Sequence, residues 1–248
     1  MGRAAATLVG RLQSHALERP NARGFILLEN GERESGSRSF SELDSRARVI
    51  AAWLTRNGCA GKRVVLLLRD GLEFIDALLG CHYAGVVPVP AVVPRPNRSL
   101  SAFLAIASDA QPAAVLSGRA EEAYLKPAIA ASLPRISWLC IEDADGNPHE
   151  WIEREIAAEH LALLQYTSGS TGLPKGVMVT HANLMHNQAA IQHSMQLSQD
   201  SRFVGWLPLF HDMGLIGNVM QSLYLGISCV LMPAVAFLQK PARWLSAI

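Results

Sequence analysis

The segment with the clearest chemistry runs from residue 164 to 176 and reads Leu-Gln-Tyr-Thr-Ser-Gly-Ser-Thr-Gly-Leu-Pro-Lys-Gly. It concentrates hydroxyl side chains, glycines and one lysine: Thr167, Ser168, Ser170, Thr171, Gly169, Gly172, Gly176 and Lys175. Glycines let backbone N–H groups approach an anion closely, because no Cβ intervenes. Hydroxyls donate hydrogen bonds to phosphate oxygens, and lysine adds a mobile positive charge. An apolar run at 161–164, typical of a buried strand, precedes this segment, which therefore predicts a nucleotide-phosphate loop.

The register of this loop excludes a Walker A motif. That motif ends in Gly-Lys-Ser/Thr, whereas Lys175 follows Pro174 and precedes Gly176. The alternative is a solvated Ser/Gly linker, with Lys175 an ordinary surface lysine. We favour phosphate binding, since generic linkers rarely end in Pro-Lys-Gly followed by a strand pattern such as 176–179.

A second candidate is the pair His211 and Asp212, which follows an aromatic and apolar stretch at 206–210. A His-Asp pair suggests metal binding or a proton relay. Two residues are too few for a metal site, however, and neighbours on an extended segment face opposite ways. Asp212 is predicted to cap a helix that begins near Met213. A structural role as a polar residue at a helix start thus accounts well for Asp212 and less well for His211.

The remaining histidines and the cysteines favour structural roles. His181, His186 and His193 lie on or near one predicted helix and are interpreted as surface or packing residues. The four cysteines are far apart and form no Cys-x-x-Cys pair, which argues against a zinc site or a disulfide scaffold: Cys59, Cys81, Cys140 and Cys229. They are expected in the core of a protein kept in a reducing cytoplasm.

The composition indicates a folded protein without an extended charged surface. The chain has 248 residues, of which 50% are hydrophobic and 17% charged, and its net charge is +1. Such a balance supports a large core and gives no general attraction to nucleic acid or to an anionic membrane. The uncharged stretch 213–239 is interrupted by glycines and polar residues, so no membrane span is predicted.

Strand-like and helix-like patterns alternate along the chain. Strands are predicted at 64–68, 86–89, 113–116, 136–141, 161–164, 176–179, 203–206 and 227–231. Helices are predicted at 72–83, 100–107, 120–131 and 182–195, from about 213, and from 238. This alternation predicts an α/β fold with parallel sheets, helices on both faces and right-handed crossovers. Residues 242–248 have helical character but no stop signal, so the fold is expected to be incomplete at its C-terminal end.

The loop from Tyr166 to Gly176 resembles the phosphate-binding loop of the adenylate-forming superfamily, which includes acyl-CoA synthetases, luciferases, peptide-synthetase adenylation domains and fatty acyl-AMP ligases. Other segments resemble that superfamily in the same order: Ser39-Phe-Ser-Glu-Leu, Tyr83-Ala-Gly-Val-Val-Pro-Val-Pro and Trp206-Leu-Pro-Leu-Phe-His-Asp-Met-Gly. The resemblance extends from about Leu8 to the last residue. It implies that residues 1–248 form part of a layered α/β N-terminal AMP-binding domain, with a subdomain division near 150–160 and without the small C-terminal domain.

The resemblance also implies roles for individual residues. ATP phosphates would be held by Thr167, Ser168, Gly169, Ser170, Thr171, Gly172 and Lys175. Thr167 would also contact Mg²⁺, His211 would lie beside the acyl carboxylate, and Met213 and Gly214 would line the acyl pocket. The catalytic lysine and the adenine- and ribose-binding segments of the superfamily have no match here. No complete catalytic set is therefore expected, and the chain alone is expected to be inactive.

The segment 92–100, Val-Val-Pro-Arg-Pro-Asn-Arg-Ser-Leu, is similar to a Pro-Pro-Arg-Pro-Asn-Arg-Ser segment of fatty acyl-AMP ligases, with Val93 in place of one proline. The implied activity joins a fatty acid to ATP and gives an acyl-adenylate. The acyl group then passes to the phosphopantetheine of an acyl carrier protein or of a polyketide or peptide synthase module. Two alternatives stay open: an acyl-CoA synthetase, and a non-catalytic nucleotide-binding or carrier-docking module.

Overall fold

Strands and helices alternate through the described residues of the computed structural model, which are 7–96, 98–167 and 174–248. The strands are β1 Arg23–Glu29, β2 Arg33–Ser39, β3 Arg63–Leu67, β4 Val87–Pro90, β5 Ala114–Ser117, β6 Ser137–Cys140, β7 Leu161–Thr167, β8 Lys175–Thr180, β9 Phe203–Gly205 and β10 Cys229–Leu231. The α-helices are α1 Leu8–Glu18, α2 Phe40–Arg56, α3 Leu72–Ala84, α4 Ser101–Ala110, α5 Arg119–Ile129, α6 His181–Ser194, α7 Gln221–Leu225, α8 Ala234–Gln239 and α9 Ala242–Ser246. A π-helical segment, Met213–Met220, leads directly into α7.

One sheet is entirely parallel, with strand order β4-β3-β5-β6. Four consecutive residues of its strand β3, from Val64 to Leu67, are fully buried. A strand covered on both faces reads as a continuous apolar run rather than an alternating one. Helix α3, which connects β3 to β4, is buried along nearly its whole length. This sheet confirms the predicted α/β fold with parallel strands.

A second sheet has strand order β2-β1-β10-β9 and is mixed. Strands β1, β10 and β9 are parallel, whereas β2 is antiparallel to β1. This hairpin was not predicted from the sequence, because β2 is a polar segment without an apolar pattern. Tertiary pairing, with a tight turn that includes Gly31 at a φ of 74°, overrides its low strand propensity.

The third sheet is the antiparallel pair β7 and β8. Only residues 168–174 connect the two strands. Parallel strands need a crossover of roughly a dozen residues or more, so a connection this short requires a hairpin. The general expectation of parallel pairing is therefore wrong for these two strands.

The C-terminal region also differs from the prediction. One helix from Leu238 was expected, but α8 ends at Gln239 and α9 begins at Ala242, on either side of Pro241. Proline removes a backbone donor and disfavours continuation of a helix. No helix in the described ranges is long and apolar enough to cross a membrane. All four cysteines are buried free thiols, as predicted. The subdomain division near 150–160 stays a prediction.

Candidate functional site

The β7–β8 hairpin positions the two ends of the predicted phosphate loop. Thr167 is the last residue of β7, Lys175 is the first of β8, and the two are direct pairing partners. Both residues are exposed. The antiparallel ladder therefore holds a hydroxyl and an ammonium group side by side at the end of the hairpin where residues 168–174 connect the two strands. Ser168, Gly169, Ser170, Thr171 and Gly172 lie outside the described residues, so their phosphate-binding role stays a prediction.

The neighbouring pair of the ladder, Tyr166 and Gly176, is tightly packed. A Cβ at Gly176 would lie 2.9 Å from Cζ of the Tyr166 ring, which explains why glycine occupies this position. The Tyr166 hydroxyl donates a hydrogen bond to Asp109 of α4. Burial and this hydrogen bond raise the pKa of Tyr166, so the phenol remains a donor at neutral pH. The strand that leads into the loop is thus anchored to α4.

The segment that leads to His211 is held by two side chains, one just past the end of β3 and one on β7. The Leu209 N–H donates to Oδ1 of Asp70, which lies just past the end of β3, at 2.7 Å. Nε2 of Gln165, on β7, donates to the carbonyl oxygen of Phe210 at 2.9 Å. Adjacent residues of this segment, hereafter the 207–211 loop, are therefore connected to the parallel sheet and to the hairpin.

The His211–Asp212 pair corrects one prediction and confirms another. Nδ1 of His211 lies 2.7 Å from Oδ1 of Asp212, so the two side chains do not face opposite ways. Asp212 has helical backbone angles, φ −52° and ψ −46°, rather than the extended geometry that was assumed. Asp212 does lie at the N-cap, where its carboxylate accepts a hydrogen bond from the Met213 N–H at 2.7 Å.

The predicted acyl-pocket residues begin the π-helical segment. His211 and Met213 are exposed, and Gly214 is buried. A Cβ on Gly214 would lie 2.2 Å from the carbonyl oxygen of Pro208, so the start of this segment packs directly on the 207–211 loop. The structure thus brings His211, Met213 and Gly214 together. π-Helical turns are rare in proteins as a whole, and those that occur are often found at functional sites.

A magnesium ion would find few protein ligands here. Within the described ranges, no group of three or more His, Cys, Asp or Glu side chains is arranged to hold a metal ion. Thr167 offers one exposed hydroxyl oxygen, which is a suitable hard ligand. Magnesium commonly retains waters and binds substrate phosphates alongside a few protein oxygens. Thr167 therefore fits as a single ligand to such an ion, and its magnesium role stays a prediction.

Two residues that shape the site, Asp70 and Gln165, were not predicted from the sequence. The position of Asp70, just beyond a predicted parallel strand, was an available signal, because ligand sites form at the carboxyl ends of such strands. No local pattern distinguishes Gln165, since its partner Phe210 is 45 residues away in the chain. The histidines of α6 match their interpretation: His181 is buried, and His186 and His193 are exposed.

Comparison with known proteins identifies the family of this chain. The AMP-binding enzyme family matches residues 12–248. The chain belongs to this family. Among AMP-binding enzymes, it is 40% identical over 250 residues to the medium-chain-fatty-acid–[acyl-carrier-protein] ligase JamA of Moorena producens, a match that covers 98% of this chain and 42% of JamA. It is 34% identical over 251 residues to the long-chain-fatty-acid–AMP ligase FadD26 of Mycobacterium marinum, covering 96% and 42% respectively.

A solved structure of this family agrees in fold. The fatty acyl-adenylate ligase from L. pneumophila, in complex with acyl adenylate and pyrophosphate, superposes with a TM-score of 0.90 at 36% identity. The match covers 98% of this chain and 42% of that chain. The chain thus spans less than half the length of the AMP-binding enzymes reported above.

Proposed function

We propose that this chain is the N-terminal part of a fatty acyl-AMP ligase. The whole protein would convert a fatty acid and ATP to an acyl-adenylate and pyrophosphate. It would then transfer the acyl group to the phosphopantetheine thiol of an acyl carrier protein or synthase module. The main structural support is the hairpin that presents Thr167 and Lys175 and is bonded through Gln165 to the 207–211 loop. The names of JamA and FadD26 support the substrate class.

The residues of this chain would act by binding and by charge stabilisation. A carboxylate oxygen of the fatty acid attacks the α-phosphorus of ATP, and the bond to the β-phosphate oxygen breaks. Lys175 and the loop hydroxyls would stabilise the negative charge that develops on the leaving pyrophosphate. When bound beside Thr167, Mg²⁺ would neutralise further phosphate charge. His211 would orient the carboxylate, and Met213 and Gly214 would border the acyl chain.

The identity of the acyl acceptor requires a direct comparison. The acceptor printed in the name of JamA, an acyl carrier protein, favours such a carrier over CoA. The assay uses a longer protein that contains this chain and has the length of its relatives, hereafter the extended protein. It receives a fatty acid, ATP and either holo acyl carrier protein or CoA. Acyl transfer to the carrier supports the proposal, whereas efficient acyl-CoA formation supports the acyl-CoA synthetase alternative.

The proposed location of the protein is the cytoplasm. Four buried free thiols favour this location, because the cytoplasm keeps thiols reduced.

The 248-residue chain by itself is expected to give no fatty-acid-dependent exchange between ATP and labelled pyrophosphate. The reason is that the family resemblance assigns phosphate-binding residues to this chain but no complete catalytic set. The measurement is radiolabel exchange at saturating ATP, with the extended protein as the positive control. Robust exchange by this chain would show that the catalytic residues are present within it.

Replacing Lys175 by methionine in the extended protein should lower the rate of pyrophosphate exchange by roughly 10- to 100-fold, because one charge-stabilising donor is removed. Lys62→Met provides a matched control, since Lys62 is an exposed lysine outside the hairpin. The control should retain the wild-type rate. An equal rate for both variants would assign Lys175 to the solvated surface.

A further inference from the structure

Gln165 is a buried polar residue at the junction of the two halves of the site. Its residue exposure is 6%, and it lies on β7 two positions before Thr167. Its Nε2 donates to the Phe210 carbonyl, while its Oε1 is buried with no hydrogen-bond partner among the described residues. Burying an amide is costly unless its groups are paired. An apolar residue would fill this strand position at lower cost, so stability alone does not account for a glutamine.

The partner of Gln165 belongs to the peptide group that precedes His211. In this planar unit, the oxygen accepts from Gln165 and the His211 N–H donates to the Pro208 carbonyl at 3.1 Å. The carbonyl of His211 in turn accepts from the Leu215 N–H at 2.8 Å. The backbone on both sides of His211 is therefore held. Of these bonds, the one from Gln165 comes from the strand that carries the phosphate loop.

The β7–β8 ladder holds Gln165 in place. Gln165 pairs with Val177 of β8, and Thr167, two positions further along β7, pairs with Lys175. Two strand positions span about 7 Å, and the ladder between them resists bending. The amide of Gln165 is therefore a fixed support for the peptide that precedes His211.

We propose that Gln165 is a positioning residue that fixes His211 from strand β7 through the Phe210–His211 peptide. This inference rests on the proposed function for its chemical consequence, although the support of this peptide by Gln165 is a property of this chain. Gln165 touches neither reacting group. Its effect on the reaction is transmitted by His211, and small errors in the placement of a reacting group can cost up to about 100-fold in rate.

Three variants separate positioning from packing. Gln165→Leu fills the strand position but removes the donor. Gln165→Glu keeps the shape, and burial raises the pKa of a carboxyl group, so its neutral form retains a donor for the Phe210 carbonyl. Gln188→Leu is the matched control. Gln188 is also buried, and its side chain donates to the carbonyl oxygen of Ile216 at 3.2 Å. Its Oε1 has no hydrogen-bond partner among the described residues. Its bond, however, does not reach the hairpin.

The first measurement is amide hydrogen exchange in the 248-residue chain, read at His211 and Leu215. Gln165→Leu should accelerate exchange at these amides by about 10-fold or more, whereas Gln188→Leu, which loses a bond to Ile216 next to Leu215, should leave the His211 amide unchanged. Gln165→Glu should lie between the wild type and Gln165→Leu. Thermal stability is expected in a different order, with Gln165→Leu at or above Gln165→Glu, because a buried acid is costly. A purely packing role would make both measurements follow the same order.

The second measurement is pyrophosphate exchange by the extended protein. Gln165→Leu should reduce kcat/KM for the fatty acid by about 10-fold, and by less than about twofold in a His211→Ala background, since contacts within one network are not additive. Unchanged amide exchange in both Gln165 variants, or equal kinetic losses in both backgrounds, would overturn this positioning role. An inactive wild-type extended protein would instead refute the proposed function, while the amide exchange would still decide the role of Gln165. If Gln165→Leu fails to fold, Gln165→Glu alone decides through the same two amides.

Discussion

Replacing Gly214 by alanine is expected to destabilise the protein by about 2 kcal/mol and to disturb the acyl pocket. Within a helix, this change normally stabilises by up to about 1 kcal/mol. Here the new methyl group would lie 2.2 Å from the Pro208 carbonyl oxygen and 2.8 Å from that of Leu207. Both are backbone atoms, so no side-chain rotation relieves the overlap. Overpacking of this kind typically costs about 1–3 kcal/mol.

The consequence for the site follows from the same contact. Separating Gly214 from Pro208 would move the start of the π-helical segment, which carries Met213, away from the 207–211 loop. We expect a lower urea midpoint at constant slope for the 248-residue chain. In the extended protein, we expect at least a severalfold increase in KM for the fatty acid.

Gly217→Ala is the matched control for this prediction, because Gly217 lies in the same π-helical segment. Among the described residues, the one atom within 4 Å of a Cβ there would be Cγ of Met213 at 3.9 Å, which is an ordinary contact. The control should be neutral or slightly stabilising. Equal urea midpoints for the two variants would mean that the start of the π-helical segment readily moves away from the 207–211 loop. That outcome would contradict the tight packing of Gly214 on Pro208.

Acid is expected to destabilise the protein strongly through the buried pair His82 and His181. Their rings lie 5.5 Å apart in an edge-to-face arrangement, between α3 and the start of α6. Desolvation by burial lowers the pKa of His82 to about 3, with a further contribution from His181. Desolvation likewise lowers the pKa of His181 to about 4. Nδ1 of each ring is buried with no hydrogen-bond partner among the described residues.

The sign of the pH effect follows from these directions. The unfolded chain binds a proton at each histidine near pH 6.5, whereas the folded chain does so only at much lower pH. Stability is therefore fully present above about pH 7 and decreases as the pH falls below 6.5. By pH 5 each histidine should remove about 2 kcal/mol, or about 4 kcal/mol for the pair. This is a large share of the roughly 5–15 kcal/mol that stabilises a typical domain.

Urea unfolding at pH 5 and pH 7.5 measures this effect. The double variant His82→Gln with His181→Gln should lose most of the difference in unfolding free energy between the two pH values. His193→Gln, at an exposed position of α6, should retain it. Since burial also lowers the pKa of His15, some acid sensitivity should remain in the double variant. A wild-type pH dependence in the double variant would show that these two rings do not carry the effect.

The sequence predicted most of the parallel sheet because its strands are marked locally. The run 64–68 is continuously apolar, and the helix that follows it begins at Leu72, as expected. Patterns of this kind arise from burial on both faces of each strand and need no knowledge of distant residues. The polar strand β2 lacked such a mark, because its place at the sheet edge depends on pairing with β1.

The candidate site divides in the same way. Residue types and spacing marked Thr167 and Lys175 as members of a candidate phosphate loop, because phosphate binding needs several donors near one another, whereas the acyl-carboxylate role of His211 was implied by the family resemblance. Tertiary structure decided how the groups of the site are placed. It sets Lys175 opposite Thr167 in a hairpin and packs Gly214 against Pro208. It also fixes the peptide that precedes His211, whose oxygen accepts a hydrogen bond from Gln165. The chemistry of a side chain is local to its residue, whereas its orientation depends on partners that are far apart in the chain and meet only when it folds.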